Sequence, residues 1–388
     1  MMNGDGPRNL SKRSSHLREA GILRALTLKV KSFPDGINLG QGVCDLEMPD
    51  VLREAAIDSI AHDRATYTNY AGLEVLRKEI ARRYSERYDI RYGMDEIVVT
   101  TGASGAYMAA LMTLIDPGDE IILFEPFYPY HYTAAKLAGA RLRILPLELG
   151  AEGLDWGGLE DALRREPRLI VLNTPSNPIG RVWTEDEIGR LAQMLAGTST
   201  LVVTDEIYED LVYDGRRHHP PAAHPDLRDR TITISGLSKA YSITGWRIGW
   251  LCAPAALAGA IGPVFDVMVV CAPRPLQKAA AVALRELPPS YYEDLRRGYE
   301  KRRGMLAGTL EGAGFPIHVP EGAYYMLADY SGRYGPIDGM EACFKLLDEA
   351  HLAAIPGTIF YEKNAPPVLR FQFAVKESVL EEVARRLS

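Results

Sequence analysis

Cysteine is scarce in this chain. The 388 residues contain four thiols, Cys44, Cys252, Cys271 and Cys343, widely spaced and with no CxxC or CxxH pair. That spacing argues against a disulfide framework or a zinc ribbon, and reduced, packed thiols in a cytoplasmic protein are expected instead. No run of about 18 apolar residues occurs, so no membrane span is expected. Positive charge is not in excess either. Lys and Arg number 44 against 51 Asp and Glu, a net charge of −7, so nucleic acid is not expected as a main partner. The Arg-rich stretches near Arg82 and Arg297 are interleaved with acids and read as solvated helix faces. The opening MMNGDGPRNLSKRSS has no apolar stretch after its charges and lacks the form of a secretory signal.

Several catalytic signatures are missing as well. There is no GK[ST] phosphate loop, no GxGxxG, no GxSxG elbow and no HExxH. A Ser-x-x-Lys hydrolase motif before Lys239 would need serine at 236, and that residue is Gly236. The histidines of HHPPAAH (His218, His219 and His224) sit in a Pro-rich stretch, and no metal site is expected.

What the chain does have is alternation. From Glu96 to about Cys252, short apolar runs (EIVVTT, EIILFEP, RLRILPLE, RLIVLNTP, TLVVTDEIY, TITIS, WRIGWLCAP) alternate with amphipathic helical segments. Unbroken apolar strands separated by helices of period 3.6 imply an α/β fold with a mostly parallel sheet sandwiched by helices. LEVLRKEIARRYSERY before this block reads as a helix. A long charged helix after about Pro288, the strand VLRFQFAV and the closing helix KESVLEEVARRL follow it. The expected organisation is an N-terminal segment, 1–44, joining a smaller α+β domain, 286–388, with a large domain of 45–285 between them.

Parallel sheets of this kind place their chemistry at the carboxyl ends of the strands, and the unusual residue choices fall there. TTGASGAY opens a helix with small residues and a hydroxyl, so that backbone N–H groups can meet an anion. NTPSNPIG carries Asn173 and Asn177, and VVTDEIYEDL carries Asp205 and Tyr208. A carboxylate at a buried strand end needs strong donors or a cation. SGLSKAYSITGWRIGW then brings Lys239 and, eight residues on, Arg247. An amine in a dry cleft loses its proton more readily and becomes a nucleophile toward carbonyls. Arg247 offers a planar fork for phosphate or carboxylate. A phosphate cradle, an acid, a phenol, an amide, an amine and an arginine together suit an aromatic aldehyde cofactor with a phosphate tail.

This set, in this order, resembles the fold-type I pyridoxal-phosphate enzymes, and among them the class I/II aminotransferases. The resemblance runs from about Asn38 to the C-terminus and is most specific at SKAYSITGWRIGW, NPIG, DEIY and LRF. It implies pyridoxal 5'-phosphate as cofactor, held as a Schiff base by Lys239, which also shuttles the proton. It implies a phosphate cradle of Ala103, Ser104, Ser238 and Arg247, with Tyr128 stacked on the pyridine ring. Asp205 matches the acid paired with the ring nitrogen, and Asn177 and Tyr208 match the partners of the phenolic oxygen. Arg370 resembles the clamp on the substrate carboxylate, and Gly42 the loop glycine closing over it. Tyr67 matches a tyrosine reaching the neighbouring subunit's phosphate, which implies a homodimer with shared active sites. The substrates implied are an amino acid and a 2-oxo acid.

Four positions depart from the family pattern. Ile179 replaces a threonine of N-P-T-G, and Cys44 replaces a proline of the substrate loop. Gly236 stands where relatives carry a phosphate-binding serine, a role open to Ser235 or Ser238. Arg274, in CAPRPLQ, replaces a small polar residue; it is expected either to read an anionic group on substrate or cofactor, or to sit in a salt bridge. Two other functions are compatible with the chain. A lyase or synthase of the same fold would share the early chemistry and then eliminate, replace or cyclise. A cofactor-sensing DNA-binding regulator would need a basic helix-turn-helix before NLGQG, and only about 35 residues precede it.

Overall fold

The computed structural model describes residue 11, residues 20–148 and residues 153–388. Most of the polar N-terminal lead-in lies outside the described residues. A seven-stranded sheet organises the middle of the chain. Its order is Ile97–Thr100, Gly249–Cys252, Thr231–Gly236, Leu201–Asp205, Leu169–Asn173, Glu120–Glu125 and Arg141–Pro146. Neighbours pair parallel, except that Gly249–Cys252 runs antiparallel to both strands beside it. The inner strands are buried along almost their whole length, which is why they read as unbroken apolar runs. Arg141–Pro146 forms an edge, and it is the strand with charge along it, as an unpaired edge requires to resist pairing with another chain.

The antiparallel strand decides where the chemistry goes. Parallel neighbours need a crossover helix between them. The chain instead leaves Thr231–Gly236, makes a short turn with one 3-10 segment at Thr244–Trp246, and returns as Gly249–Cys252. Lys239 and Arg247 both ride on that turn, above the carboxyl end of the sheet.

Three of the expected helices form as Glu74–Tyr88, Glu185–Leu195 and Glu377–Leu387. Glu185–Leu195 starts where its capping box dictates. The Thr184 hydroxyl accepts from the Glu187 N–H, and the Glu187 carboxylate accepts from the Thr184 N–H. Ala255–Val269 and Arg274–Glu286 were not anticipated. The first contains Pro263, a residue that normally ends a helical pattern, and Gly262, where a Cβ would collide with the ring of Tyr70.

A second, four-stranded antiparallel sheet follows the order Ile355–Pro356, Val368–Gln372, Tyr325–Asp329, Ile317–His318. The helices Pro289–Gly312, Gly339–Ala350 and Glu377–Leu387 accompany it. One apolar core joins Leu26, Val30 and Leu39 from the start of the chain to Leu306, Leu346, Phe371 and Leu380 near its end. Ile37–Asn38 also pairs in parallel with Leu352–Ala353. Ile207, Tyr208 and Leu211 extend into the same core. Among the described residues no helix is long and apolar enough to cross a membrane.

Candidate active site

The carboxyl ends of three parallel strands meet in register, with Asn173 opposite Asp205 and Asp205 opposite Ile234. Beside them opens a cavity of about 700 Å³. Eleven of the thirteen residues expected at the site line it: Gly42, Ala103, Ser104, Tyr128, Asn177, Asp205, Tyr208, Ser238, Lys239, Arg247 and Arg370.

Asp205 is nearly buried, and its Oδ2 lies 2.9 Å from His131 Nε2. Its Oδ1 accepts from the Ile207 N–H at 3.2 Å. His131 was not anticipated, being 74 residues away in sequence. The only hint is its place in FYPYHY, within the helix Pro129–Ala138 that also starts beside Tyr128. The His131 ring packs against Tyr107 and edge-on to Tyr128.

Lys239 Nζ donates to the Gly42 carbonyl at 3.3 Å and stands 5.7 and 5.5 Å from the ring centres of Tyr208 and Tyr324. Arg247 donates to two carbonyls, Thr244 O at 3.0 Å and Thr101 O at 3.3 Å. It packs close to Gly102, whose φ is +74°; a Cβ there would stand 2.5 Å from the guanidinium. Among the described residues no side chain caps the helix Gly102–Leu114, so its first N–H groups, beside Arg247, are open to an anion.

Arg370 donates to Asn177 Oδ1 and to the Gly40 carbonyl, both at 2.7 Å. The Tyr325 and Phe360 rings flank it at 4.2 and 4.9 Å. Among the described residues its buried Nε–H finds no partner, an unsatisfied donor that a bound anion would relieve. Asn177 is itself positioned by its N–H, which donates to Asn173 Oδ1 at 2.7 Å. Tyr208 donates to the Tyr325 hydroxyl at 3.1 Å. Burial would raise the Tyr325 phenol, but the charges of Lys239 and Arg370 win and hold it below the usual tyrosine range. Burial and the neighbouring Tyr325 push Tyr208 well up, and burial does the same to Tyr128.

Among the described residues no carboxylate pairs with Lys239, Arg247 or Arg370, and the sole acid lining the cavity is Asp205. Cations left unpaired around a cavity are costly unless an anion enters. One end suits a phosphate, at Arg247 and the uncapped helix. The other suits a carboxylate, at Arg370. The residues present therefore fit pyridoxal 5'-phosphate together with an amino acid.

The glycine at 236 has a packing reason. It pairs with Gly249 across the antiparallel strands, and a Cβ there would lie 2.8 Å from Gly249 Cα and from Ile248 O. A Cβ on Gly249 would in turn press on Ala103 N at 2.7 Å. The helix start thus sits directly on the strand pair, and a serine has no room. Of the two serines considered in its place, Ser235 is turned away, its hydroxyl donating to Glu209 Oε1 at 2.9 Å, whereas Ser238 lines the cavity. Cys44 lies within 3.0 Å of the Ser242 hydroxyl and 3.3 Å of the Tyr299 hydroxyl.

Two expected residues lie outside the cavity. Tyr67 is 79% exposed. Arg274 is held by Asp63, with Nε 3.0 Å from Oδ2, and Lys278 shares the same carboxylate at 3.1 Å. The hydrogen bond from Arg274 draws the Asp63 carboxyl down to about 2. In this chain Arg274 therefore sits in a salt bridge and does not face the cavity.

Residues 34–387 match the family described as aminotransferase class I and II. A probable N-succinyldiaminopimelate aminotransferase of Mycobacterium tuberculosis is 34% identical over 365 residues, 91% of each chain. A methionine aminotransferase of Escherichia coli is 34% identical over 353 residues, covering 90% of this chain and 91% of the relative. The solved N-succinyldiaminopimelate aminotransferase of M. tuberculosis superposes with a TM-score of 0.92 at 32% identity, over 97% of this chain and 99% of that one. These relatives are named for amino transfer, which favours that reaction over elimination, replacement or cyclisation. The chain belongs to the class I and II aminotransferases, pyridoxal-phosphate-dependent enzymes that move an amino group from an amino acid to a 2-oxo acid.

Proposed function

We propose that Lys239 holds the aldehyde carbon of the cofactor and that its Nζ carries the proton taken from the amino acid's α-carbon. When bound, the cofactor supplies an electron sink for the pair left by that proton. Asp205, steadied by His131, would pair with the ring nitrogen of the bound cofactor and favour its charged form. Arg247, Ser238, Ser104 and the Ala103 N–H would hold the phosphate, Tyr128 would cover the ring, and Asn177 and Tyr208 would hold the phenolic oxygen. Arg370 clamps the substrate carboxylate, and the Gly42 loop lies over it. The clamp also orients the α-carbon toward Lys239.

The observation that carries this reading is the set of three cations, Lys239, Arg247 and Arg370, turned into one cavity with no carboxylate among the described residues paired to any of them. Proton transfer by a positioned base contributes roughly 10²–10⁴-fold. Lys239→Ala should therefore slow conversion of bound cofactor by an amino acid at least that much. An undiminished rate would refute the assignment.

The working unit proposed is a homodimer in the cytoplasm. Val267, Met268, Val269 and Val270 form a consecutive exposed apolar run, and Tyr67 stands out in solvent. Such a run supports burial against a second copy, where Tyr67 would reach the other cavity. The four cysteines are unpaired, in keeping with a reducing compartment. The proposed division into 1–44 with 286–388, and 45–285, is supported by the core that joins the two ends of the chain.

A further inference from the structure

Tyr208, set against the cofactor's phenolic oxygen in the reading above, already has a partner of its own. Its hydroxyl donates to the Tyr325 hydroxyl at 3.1 Å, and both residues are buried. The two rings meet edge-on, with their planes at 83° and their centres 5.9 Å apart. A phenol carries a single proton. Tyr208 therefore cannot donate to Tyr325 and to a cofactor oxygen at the same time.

Tyr325 is fixed from three sides. Its backbone lies in the strand Tyr325–Asp329, opposite Gln372. The Arg370 guanidinium covers its ring at 4.2 Å, and its hydroxyl abuts Gly42, where a Cβ would stand 2.0 Å away. All of these contacts are made within one chain and need no second copy to complete them. The ionisable groups around the pair are Lys239, Arg370, Tyr128 and Tyr324. Burial raises both phenols, and the charges of Lys239 and Arg370 overcome it at Tyr325 but not at Tyr208. Of the two, Tyr325 is the stronger acid and so the better donor.

We propose that Tyr325 is a positioning residue that acts through Tyr208. With the cofactor bound, its hydroxyl donates to the Tyr208 oxygen, and Tyr208 gives its own proton to the phenolic oxygen. Hydrogen bonds chained in this way polarise one another, so Tyr208 becomes a stronger donor than it is alone. A phenolic oxygen better stabilised as an anion holds less of the neighbouring proton, and the Schiff base at Lys239 then titrates at lower pH. This inference rests on the reading above, in which Tyr208 meets that oxygen.

The test is a pH titration of holoenzyme without substrate, followed by the absorbance of the bound cofactor. Tyr208→Phe and Tyr325→Phe both keep the ring and its packing. Tyr208→Phe should raise the midpoint by about one to two units, the size of a hydrogen bond to a charged group. Tyr325→Phe should raise it by about half a unit, the cooperative part of that bond. The double variant should titrate with Tyr208→Phe, because Tyr325 then has no donor to strengthen. An unmoved or lowered midpoint in Tyr325→Phe alone, or an additive double variant, would overturn the inference and leave the assignment of Tyr208 intact. No shift in Tyr208→Phe would overturn that assignment and the inference with it. The cofactor-free protein gives a second readout, tyrosine absorbance against pH. Its earliest-ionising phenol should vanish in Tyr325→Phe and persist in Tyr208→Phe. The reverse would make Tyr208 the stronger acid and overturn the order of donation.

Discussion

The hydroxyl of Tyr325 lies 2.0 Å from where the Cβ of any residue other than glycine would stand at position 42. The same loop offers the Gly42 carbonyl to Lys239 Nζ and to the Tyr324 hydroxyl, at 3.3 and 3.1 Å. One backbone position is thus in contact with the reactive amine and two phenols. An added methyl must displace the loop, the phenol or both.

Gly42→Ala should lower kcat/KM for the amino donor by at least about tenfold, in line with the sensitivity of reacting geometry to small displacements. Removing the obstructing hydroxyl should return part of the loss, so Gly42→Ala with Tyr325→Phe should be better than the product of the two single effects. Steady-state kinetics on the four proteins measure this coupling. Strictly multiplicative effects would mean that the two positions do not meet.

Gly236→Ser is expected to destabilise the protein and not to restore a phosphate contact. Its side chain would overlap Gly249 and Ile248, and overpacking of this kind costs ~1–3 kcal/mol. Urea denaturation of the cofactor-free protein would report the loss. A variant as stable as the parent, binding the cofactor more tightly, would mean that the strand pair has room.

The acid limb of stability should depend on Asp210. Burial alone would raise its carboxyl, but Arg83 at 2.8 Å and Arg87 at 2.5 Å draw it down to about 2. The unfolded carboxyl titrates near ~3.9. The unfolded chain therefore takes up the proton first as the pH falls. This contribution is fully present above about pH 5 and fades toward pH 2. Asp210→Asn should cost about 3–5 kcal/mol at neutral pH, because buried guanidiniums lose a partner. It should also flatten the stability profile over that acid range. Denaturation at a series of pH values measures both effects.

Val267 is 89% exposed at the end of the helix Ala255–Val269, and Val270 just beyond it holds a φ of 67°. Val267→Asp should lower the dimer's affinity, seen as a shift toward monomer in light scattering on dilution. Activity should fall with it, since Tyr67 then no longer reaches a second cavity. A monomeric parent protein with full activity would contradict this.

Some features were legible in the sequence because one local rule decided them. The helix Glu185–Leu195 follows from Thr184 and Glu187, three residues apart. The unbroken apolar runs gave the sheet, and the rule of strand ends gave Asp205 and Lys239. Other features depended on which distant groups the fold brings together. His131 meets Asp205 only because the helix after Glu120–Glu125 packs over the next strands. The choice between Ser235 and Ser238 turned on which way one side chain leaves a strand. The partner of Arg274 lies 211 residues back, at Asp63. Pro263 hid a helix whose stability comes from tertiary packing, which outweighs local propensity.

The attachment of the cofactor can be read directly. Holoenzyme reduced with borohydride and digested for mass spectrometry should carry the reduced cofactor on the peptide containing Lys239, at one equivalent per chain. A label on another lysine, or none on protein that still transfers amino groups, would contradict the central assignment.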